Sequence, residues 1–280
     1  MSAGKHIATA LTIAGSDSGG GAGIQADLRT FSSLGVFGCS AITALTSQNP
    51  LEVRRVDAIP VEGVKAQIET VSSQMRVAAV KTGMLYSAGI VKAVAETLSK
   101  IKAPLVVDPV AVSTSGVMLL KSSAVGALKT HLLPLADWMT PNIPEAELLL
   151  GRKISCESAM AEAALECHER WDCSCIVKGG HAVGDAKHSV DIVCHKCKLY
   201  RLVSKRVEVK AHSDHGTGCT FSAALAALLA NGAEWEIALV GAKAFVLASL
   251  AEPRQVSPKI SVMFPPEGVL PIKSVSLERL

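Results

Sequence analysis

Apolar positions along the chain fall into two kinds of run. Short apolar runs lie at residues 6–14, 36–46, 78–81, 105–107, 138–140 and 173–178, the first of them rich in Ile, Leu and Thr, and they read as strands. Longer stretches between them return an apolar residue every three or four positions and predict helices at 24–34, 61–73, 87–100, 121–132 and 155–171, with a further helix starting at 141–146. In the first helix Ile24, Leu28 and Phe31 form one stripe, and Gly35 ends it. Residues 190–194 and 198–203 read as two strands of a hairpin. Residues 221–230 contain no Gly, Pro, Asp or Asn, so propensity favours helix, and Asn231-Gly232 is a stop signal. A last long helix spans 234–251, and the Pro-rich tail at 253–280 is poorly specified.

Strand and helix alternate nearly throughout. That order predicts an α/β protein with a mostly parallel central sheet and helices on both faces. No linker composition or repeat divides the chain, so residues 1–280 are expected to form one domain. A hydrophobic content of 49% with 19% charge supports a buried sheet and argues against disorder. The net charge of +3, with no long basic run, leaves no electrostatic footprint for nucleic acid. No apolar stretch is long enough to span a membrane, and the short apolar run after Lys5-His6 reads as a first strand rather than a signal peptide. A cytoplasmic protein is expected.

Polar and glycine residues gather just after the strands. They are Gly15 to Gly23, Gln48, Gly83-Met84, Asp108, Asn142 with Glu145, Lys178-Gly179-Gly180, and His215 to Cys219. In an open parallel sheet, ligands bind outside the carboxyl ends of the strands. The stretch from Ser213 to Thr220 reads as a glycine loop entering a helix, where free N–H groups and the helix dipole bind anions. Cys219 falls in the first turn, where the same field is expected to lower its thiol pKa. The loop after the first strand fits neither the Walker pattern nor a clean dinucleotide fingerprint.

The eight cysteines are expected to be reduced thiols. Cys194 and Cys197 have zinc-knuckle spacing, but the upstream pair, Cys173 and Cys175, is C-x-C within a strand, and no zinc site is expected.

The ALTIAGSD stretch at 10–17, GGGAGIQADL at 19–28, KTGML at 81–85, Pro141-Asn142 with Pro144-Glu145-Ala146, VKGGH at 177–181 and HGTGC at 215–219 closely resemble the hydroxymethylpyrimidine/phosphomethylpyrimidine kinases of thiamin biosynthesis. The resemblance covers roughly residues 8 to 250 in order. It implies a ribokinase-like fold and phosphorylation by ATP, with Mg²⁺, of 4-amino-5-hydroxymethyl-2-methylpyrimidine and then of its monophosphate. It also implies a homodimer, since dimers are common in that family.

Carried over residue by residue, the resemblance assigns the pyrimidine to Gly15, Asp27, Gln48, Met84 and Val110. It assigns ATP to Lys178, Gly179, Gly180 and His215, and the metal and phosphates to Asn142, Glu145 and Asp108. Gly216, Thr217 and Gly218 become the anion hole and Cys219 the general base, where most of the superfamily has Asp. The amide of Gln48 can pair with both the amino group and a ring nitrogen of an aminopyrimidine. Asn142 and Glu145, three apart, are expected on one helix face. Two departures stand out: Thr114 where many relatives have Lys, and Asp214 where a neutral residue is usual. The alternatives are a pyridoxine/pyridoxal kinase of the same subgroup, disfavoured by Gln48, and a catalytically weak ligand-sensing paralog.

Overall fold

The computed structural model describes residues 6–111, 120–180, 187–209, 213–258, 260–266 and 270–280. One ten-stranded sheet runs through them. Its centre is six parallel strands in the spatial order β2 (Phe37–Asn49), β1 (Thr9–Asp17), β4 (Val77–Thr82), β5 (Leu105–Val107), β6 (Trp138–Met139) and β7 (Ser174–Lys178). Beyond β2 the sheet gains the antiparallel β3 (Glu52–Ala58). Beyond β7 it gains β8 (His188–His195), β9 (Lys198–Lys205) and β12 (Val275–Arg279), each antiparallel to its neighbour. A separate two-stranded ribbon pairs β10 (Arg254–Ser257) with β11 (Ile260–Val262).

Alternation along each strand divides the apolar residues between two cores. On one face Leu11, Ile13, Val80 and Val107 pack under α2 (Val61–Gln74), α3 (Ala88–Leu98), α4 (Ser122–Ala127), α5 (Ile143–Leu150) and α6 (Glu157–Trp171). On the other, Ala10, Ala79, Val106 and Ile176 pack under α1 (Gly23–Ser33), α7 (Thr217–Ala230) and α8 (Trp235–Ala251). The expected α/β architecture with helices on both faces is therefore present.

Several boundaries differ from expectation. The strand β2 runs three residues past 46, so Gln48 lies in the strand; a bulge at Ser47/Gln48 in its pairing with β3 re-aims the chain there. The helix expected over 121–132 stays α-helical only to Ala127, and Leu128–Leu132 widens into a π turn. The tail is not shapeless: its last strand, β12, completes the sheet edge against β9. Cys173 precedes β7 rather than belonging to it.

The turn between β8 and β9 has positive φ at both Lys196 and Cys197, the conformation of a two-residue type I′ hairpin. Cys197 thus occupies the hairpin tip, while Cys173, Cys175 and Cys194 are buried core thiols. Burial raises the Cys173 thiol to about 12 and the Cys194 thiol to about 11, so these behave as small apolar groups.

Candidate active site

The carboxyl ends of the parallel strands converge on a cavity of about 380 Å³. Gly15 from β1, Gln48 from β2, Lys178 from β7, and Gly83, Met84, Asp108, Val110, Asn142 and Glu145 just beyond β4, β5 and β6 line it, together with His215 to Cys219. Every strand-end group singled out in the sequence therefore contributes to one cavity. A second cavity of about 240 Å³ adjoins it, with apolar walls from Val207, Val209, Phe221, Val246, Leu247 and Leu250. Asn142, Lys178, Asp214, Thr217 and Gly218 line both.

Two glycine segments lock the site together. Asp17 Oδ1 accepts from Gly19 N and its Oδ2 from Ala22 N, both at 2.8 Å, which folds the loop after β1 back on itself. Gly216, the N-cap of α7, has φ +87°, and a Cβ there would lie 2.0 Å from the Gly21 carbonyl oxygen. Only glycine lets these two backbones approach so closely. A Cβ on Gly21 would in turn lie 2.3 Å from the His215 ring. The N-terminus of α7 is thereby pinned against the β1 loop and faces the cavity junction.

At that junction Lys178 Nζ donates to Asp108 Oδ1 at 3.1 Å. Asp108 also accepts from Thr140 Oγ1 at 3.1 Å and from Ser222 Oγ at 3.2 Å. Burial alone would raise the Asp108 carboxyl, but Lys178 and Lys81 outweigh it and hold the group below its ordinary range. Burial alone would discharge Lys178, and the carboxylates of Asp108 and Glu145 reverse that. A Cβ on Gly218 would lie 3.2 Å from Lys178 Nζ, so this cation sits against the first turn of α7.

Asn142 and Glu145 are joined differently from the expected shared helix face. Asn142 is the N-cap of α5, and the pair forms a reciprocal capping box: each side chain accepts from the other's backbone N–H at 2.9 Å. Glu145 is nevertheless in the cavity wall, and burial pushes its carboxyl up to about 7 despite the opposing pull of Lys178. The helix-start role and the cavity role coexist in one residue.

Four expectations change. Asp27, assigned to the pyrimidine, has no exposed surface. Both its oxygens bind Lys81 Nζ, at 2.9 and 2.8 Å, and Thr12 Oγ1 donates to Oδ2 at 2.6 Å. It lies behind the cavity wall that Lys81 helps to form, and it keeps Lys81 cationic against burial. His215, assigned to ATP, places its Nε2 3.0 Å from Asp17 Oδ2 and 3.2 Å from Gln48 Nε2, which puts it beside the pyrimidine-assigned Gln48. Gly179 reaches neither cavity: its N–H donates to Asp191 Oδ1 at 3.0 Å, and a Cβ would lie 2.1 Å from the Val190 carbonyl oxygen. Gly180 lines only the second cavity.

The fourth change concerns Cys219. It is half-buried at the third position of α7, and burial raises its thiol to about 11. Lys81 and the Gly23 backbone pull it down, but Asp27 and Asp108 push it further up. The helix terminus does not produce the depressed thiol expected from sequence, because desolvation, with two carboxylates beside it, acts on the same sulfur. Thr114 and His181 lie outside the described residues.

Sequence reasoning passed over Asp17, Lys81 and Asp191. Lys81 and Asp17 were visible as charges at strand ends. The ion pairs of Lys81 with Asp27, and of Asp191 with Lys243 at 2.6 Å, are tertiary facts. Among the described residues, no group of three or more His, Cys, Asp or Glu is arranged to hold a metal ion by itself, and no helix is long and apolar enough to cross a membrane.

Comparison with known proteins adds the following. The phosphomethylpyrimidine kinase family model matches residues 17–263. A curated hydroxymethylpyrimidine/phosphomethylpyrimidine kinase of Haemophilus influenzae is 44% identical over 255 residues, covering 90% of this chain and 94% of that protein. The phosphomethylpyrimidine kinase of Clostridium difficile is 41% identical, with a TM-score of 0.74, covering 86% of this chain and 98% of that one. The pyridoxal kinase of Staphylococcus aureus in complex with AMP-PCP is 32% identical, with a TM-score of 0.85, covering 99% of this chain and 100% of that one.

Proposed function

The chain belongs to the phosphomethylpyrimidine kinase family, and we propose that it transfers the γ-phosphoryl group of ATP to 4-amino-5-hydroxymethyl-2-methylpyrimidine and then to the monophosphate. The observation that carries this reading is the pair of adjoining cavities, which share Lys178 and the start of α7. Two substrates in separate cavities can then react only across that shared wall.

The larger cavity suits the pyrimidine. Gln48 offers an amide to the amino group and a ring nitrogen, while Met84 and Val110, which pack together with Ala44, supply apolar surface for the ring faces. The apolar second cavity suits the adenine. Its polar rim at Lys178, Gly180 and Gly218 leads toward the phosphates.

Phosphoryl transfer is governed mainly by positioning and charge neutralisation. Lys178 presents a cation held in place by Asp108, and α7 presents backbone N–H groups and its dipole. Lys81 lies below the same wall, with its charge met by Asp27. The Cys219 thiol enters the reaction protonated and cannot itself take the hydroxyl proton, so its part is to shape the anion hole; the proton passes to an oxygen of the transferring phosphoryl group as the new P–O bond forms.

The donors at the junction fit Mg²⁺. Asp108 and Glu145 supply carboxylate oxygens on one cavity wall, and the desolvated Glu145 would gain from a nearby cation. They are too few for an all-protein cage, which suits an ion held largely through water and nucleotide phosphates. When bound, Mg²⁺ supplies charge neutralisation of the transferring phosphoryl group.

The test is a panel of alcohols with ATP and Mg²⁺, scored by product mass. One and two added phosphates on the aminopyrimidine are the expected products. The second reading, a pyridoxal kinase, is favoured by the TM-score of 0.85 to the S. aureus enzyme; exclusive phosphorylation of pyridoxal would establish it instead.

A further inference from the structure

His215 Nε2 stands between two groups that make opposite demands. Asp17 Oδ2, at 3.0 Å, requires a donor. The Gln48 amide, at 3.2 Å, faces the ring with its Nε2, itself a donor. One imidazole nitrogen either carries a proton or offers a lone pair, so it cannot satisfy both.

The surroundings decide which demand prevails. Asp17 and His215 are buried, whereas Gln48 is half-buried. Gly19 N and Ala22 N bind the Asp17 carboxylate at 2.8 Å each, and such donors favour the ionised form. If Nε2 lacked its proton, a lone pair would face a carboxylate oxygen at 3.0 Å in a desolvated place. With Nε2 protonated, that contact becomes a charge-assisted hydrogen bond. This holds for both the neutral and the cationic imidazole.

The backbone of Gln48 cannot move away to relieve the remaining conflict. Its N–H donates to Ser18 Oγ, and its carbonyl accepts from the same hydroxyl, both at 2.8 Å. The amide itself can turn by 180°, which exchanges Nε2 for Oε1 at almost no steric cost. The carbonyl then accepts from His215, whose one Nε2–H is shared between Asp17 Oδ2 and Gln48 Oε1 as a three-centre bond, and the NH2 group is turned away from the imidazole.

We propose that Asp17 and His215 are specificity-determining positioning residues: Asp17 fixes an N–H on His215 Nε2, and that N–H holds the Gln48 amide in the one orientation that suits an aminopyrimidine edge. This rests on the aminopyrimidine reading above. The held amide presents NH2 to a ring nitrogen, while Oε1 keeps a second lone pair for the exocyclic amino group. A pyridine alcohol, lacking that amino group beside a ring acceptor, gains nothing from the fixed orientation. Gly21 belongs to the same device, because only a glycine leaves room for the ring.

The experiment has two arms on the full chain. In the first, ¹⁵N-histidine NMR of the wild type, with His215 assigned by its loss in His215→Phe, reads the protonated nitrogen. A proton on Nε2 is expected, and a neutral ring carrying its proton only on Nδ1 overturns the proposal. In the second, kcat/KM is measured for the hydroxymethyl aminopyrimidine and for pyridoxal with wild type, His215→Phe, Gln48→Met and the double variant. His215→Phe should lower the aminopyrimidine-to-pyridoxal ratio by about tenfold or more, and by less than about threefold once Gln48 is already Met. Equal losses on both substrates, or an undiminished effect in the Gln48→Met background, would show that His215 only supports the fold. A wild type that uses no aminopyrimidine refutes the functional reading, and the NMR arm still decides the positioning chemistry.

Discussion

The raised thiol of Cys219 makes a quantitative demand on its reactivity. With a pKa of about 11, its thiolate fraction at pH 7.5 is about one in 3,000, against about one in 11 for a free thiol near 8.5. Alkylation proceeds through the thiolate, so iodoacetamide should label Cys219 roughly 300-fold more slowly than a free cysteine, before any steric slowing. Cys156 and Cys197 are exposed and would react first, so the assay belongs in a Cys156→Ser/Cys197→Ser background, with site-resolved mass spectrometry from pH 7 to 10.5. The rate at Cys219 should climb about tenfold per pH unit without levelling.

Stability carries the same signature. The folded-state pKa is raised, so the protonated thiol's contribution is complete below the unfolded value, near 8.5, and is lost as pH rises toward 11. Wild type should therefore lose stability relative to Cys219→Ser across that window. In turnover, a residue that enters the reaction protonated can be replaced by a hydroxyl at modest cost, about tenfold or less in kcat, whereas a true general base costs about 10²–10⁴-fold. A labelling midpoint below pH 8.5, together with a Cys219→Ser loss beyond about 100-fold, would refute this reasoning and restore the thiolate base.

Four further outcomes are expected. Gln48→Met should weaken use of the aminopyrimidine by about 1–3 kcal/mol in kcat/KM, the cost of leaving polar edges unpaired; an unchanged substrate preference would remove Gln48 from the site. Excess EDTA should abolish turnover, and Glu145→Gln should raise the Mg²⁺ concentration for half-maximal rate, which a magnesium titration reads directly. Asp27→Leu should destabilise the fold by about 3–5 kcal/mol in urea, because it strands the fully buried Lys81, and Asp27→Leu/Lys81→Met should recover most of that loss; additive losses would contradict the pairing. Elemental analysis of purified protein should find well below one zinc per chain, since Cys197 sits at a hairpin tip while Cys194 and Cys175 are core residues.

Much of the fold is local information. The strand runs at 78–81 and 105–107, the helix stripe of Ile24, Leu28 and Phe31, and the stop at Asn231-Gly232 are legible because period and propensity act over a few residues. The cavity's membership is legible for a related reason: in a parallel sheet, residues that follow strands must meet at one edge, whatever their distance in sequence. That rule alone brings Gly15, Gln48, Met84, Asp108, Glu145, Lys178 and Cys219 together.

Roles within the cavity are another matter, because they depend on which charges lie within a few ångströms through space. Asp27 belongs to a family-like motif, yet its carboxylate faces Lys81, 54 residues away, across the interface between α1 and the sheet. Glycine and helix pattern at Cys219 predict a depressed thiol, and the sign reverses because burial, aided by Asp27 and Asp108, acts on that atom. His215 sits in the anion-loop motif, but Gly216 turns the chain at φ +87° and delivers the imidazole to Asp17 and Gln48, 198 and 167 residues distant in sequence. The edge strands β3 and β12 carried too little periodicity to be seen, and they exist because β2 and β9 offer unpaired backbone for them to bond. Local propensity and strand-end geometry therefore determined where the site lies, whereas desolvation and through-space charge determined what each group in it is able to do.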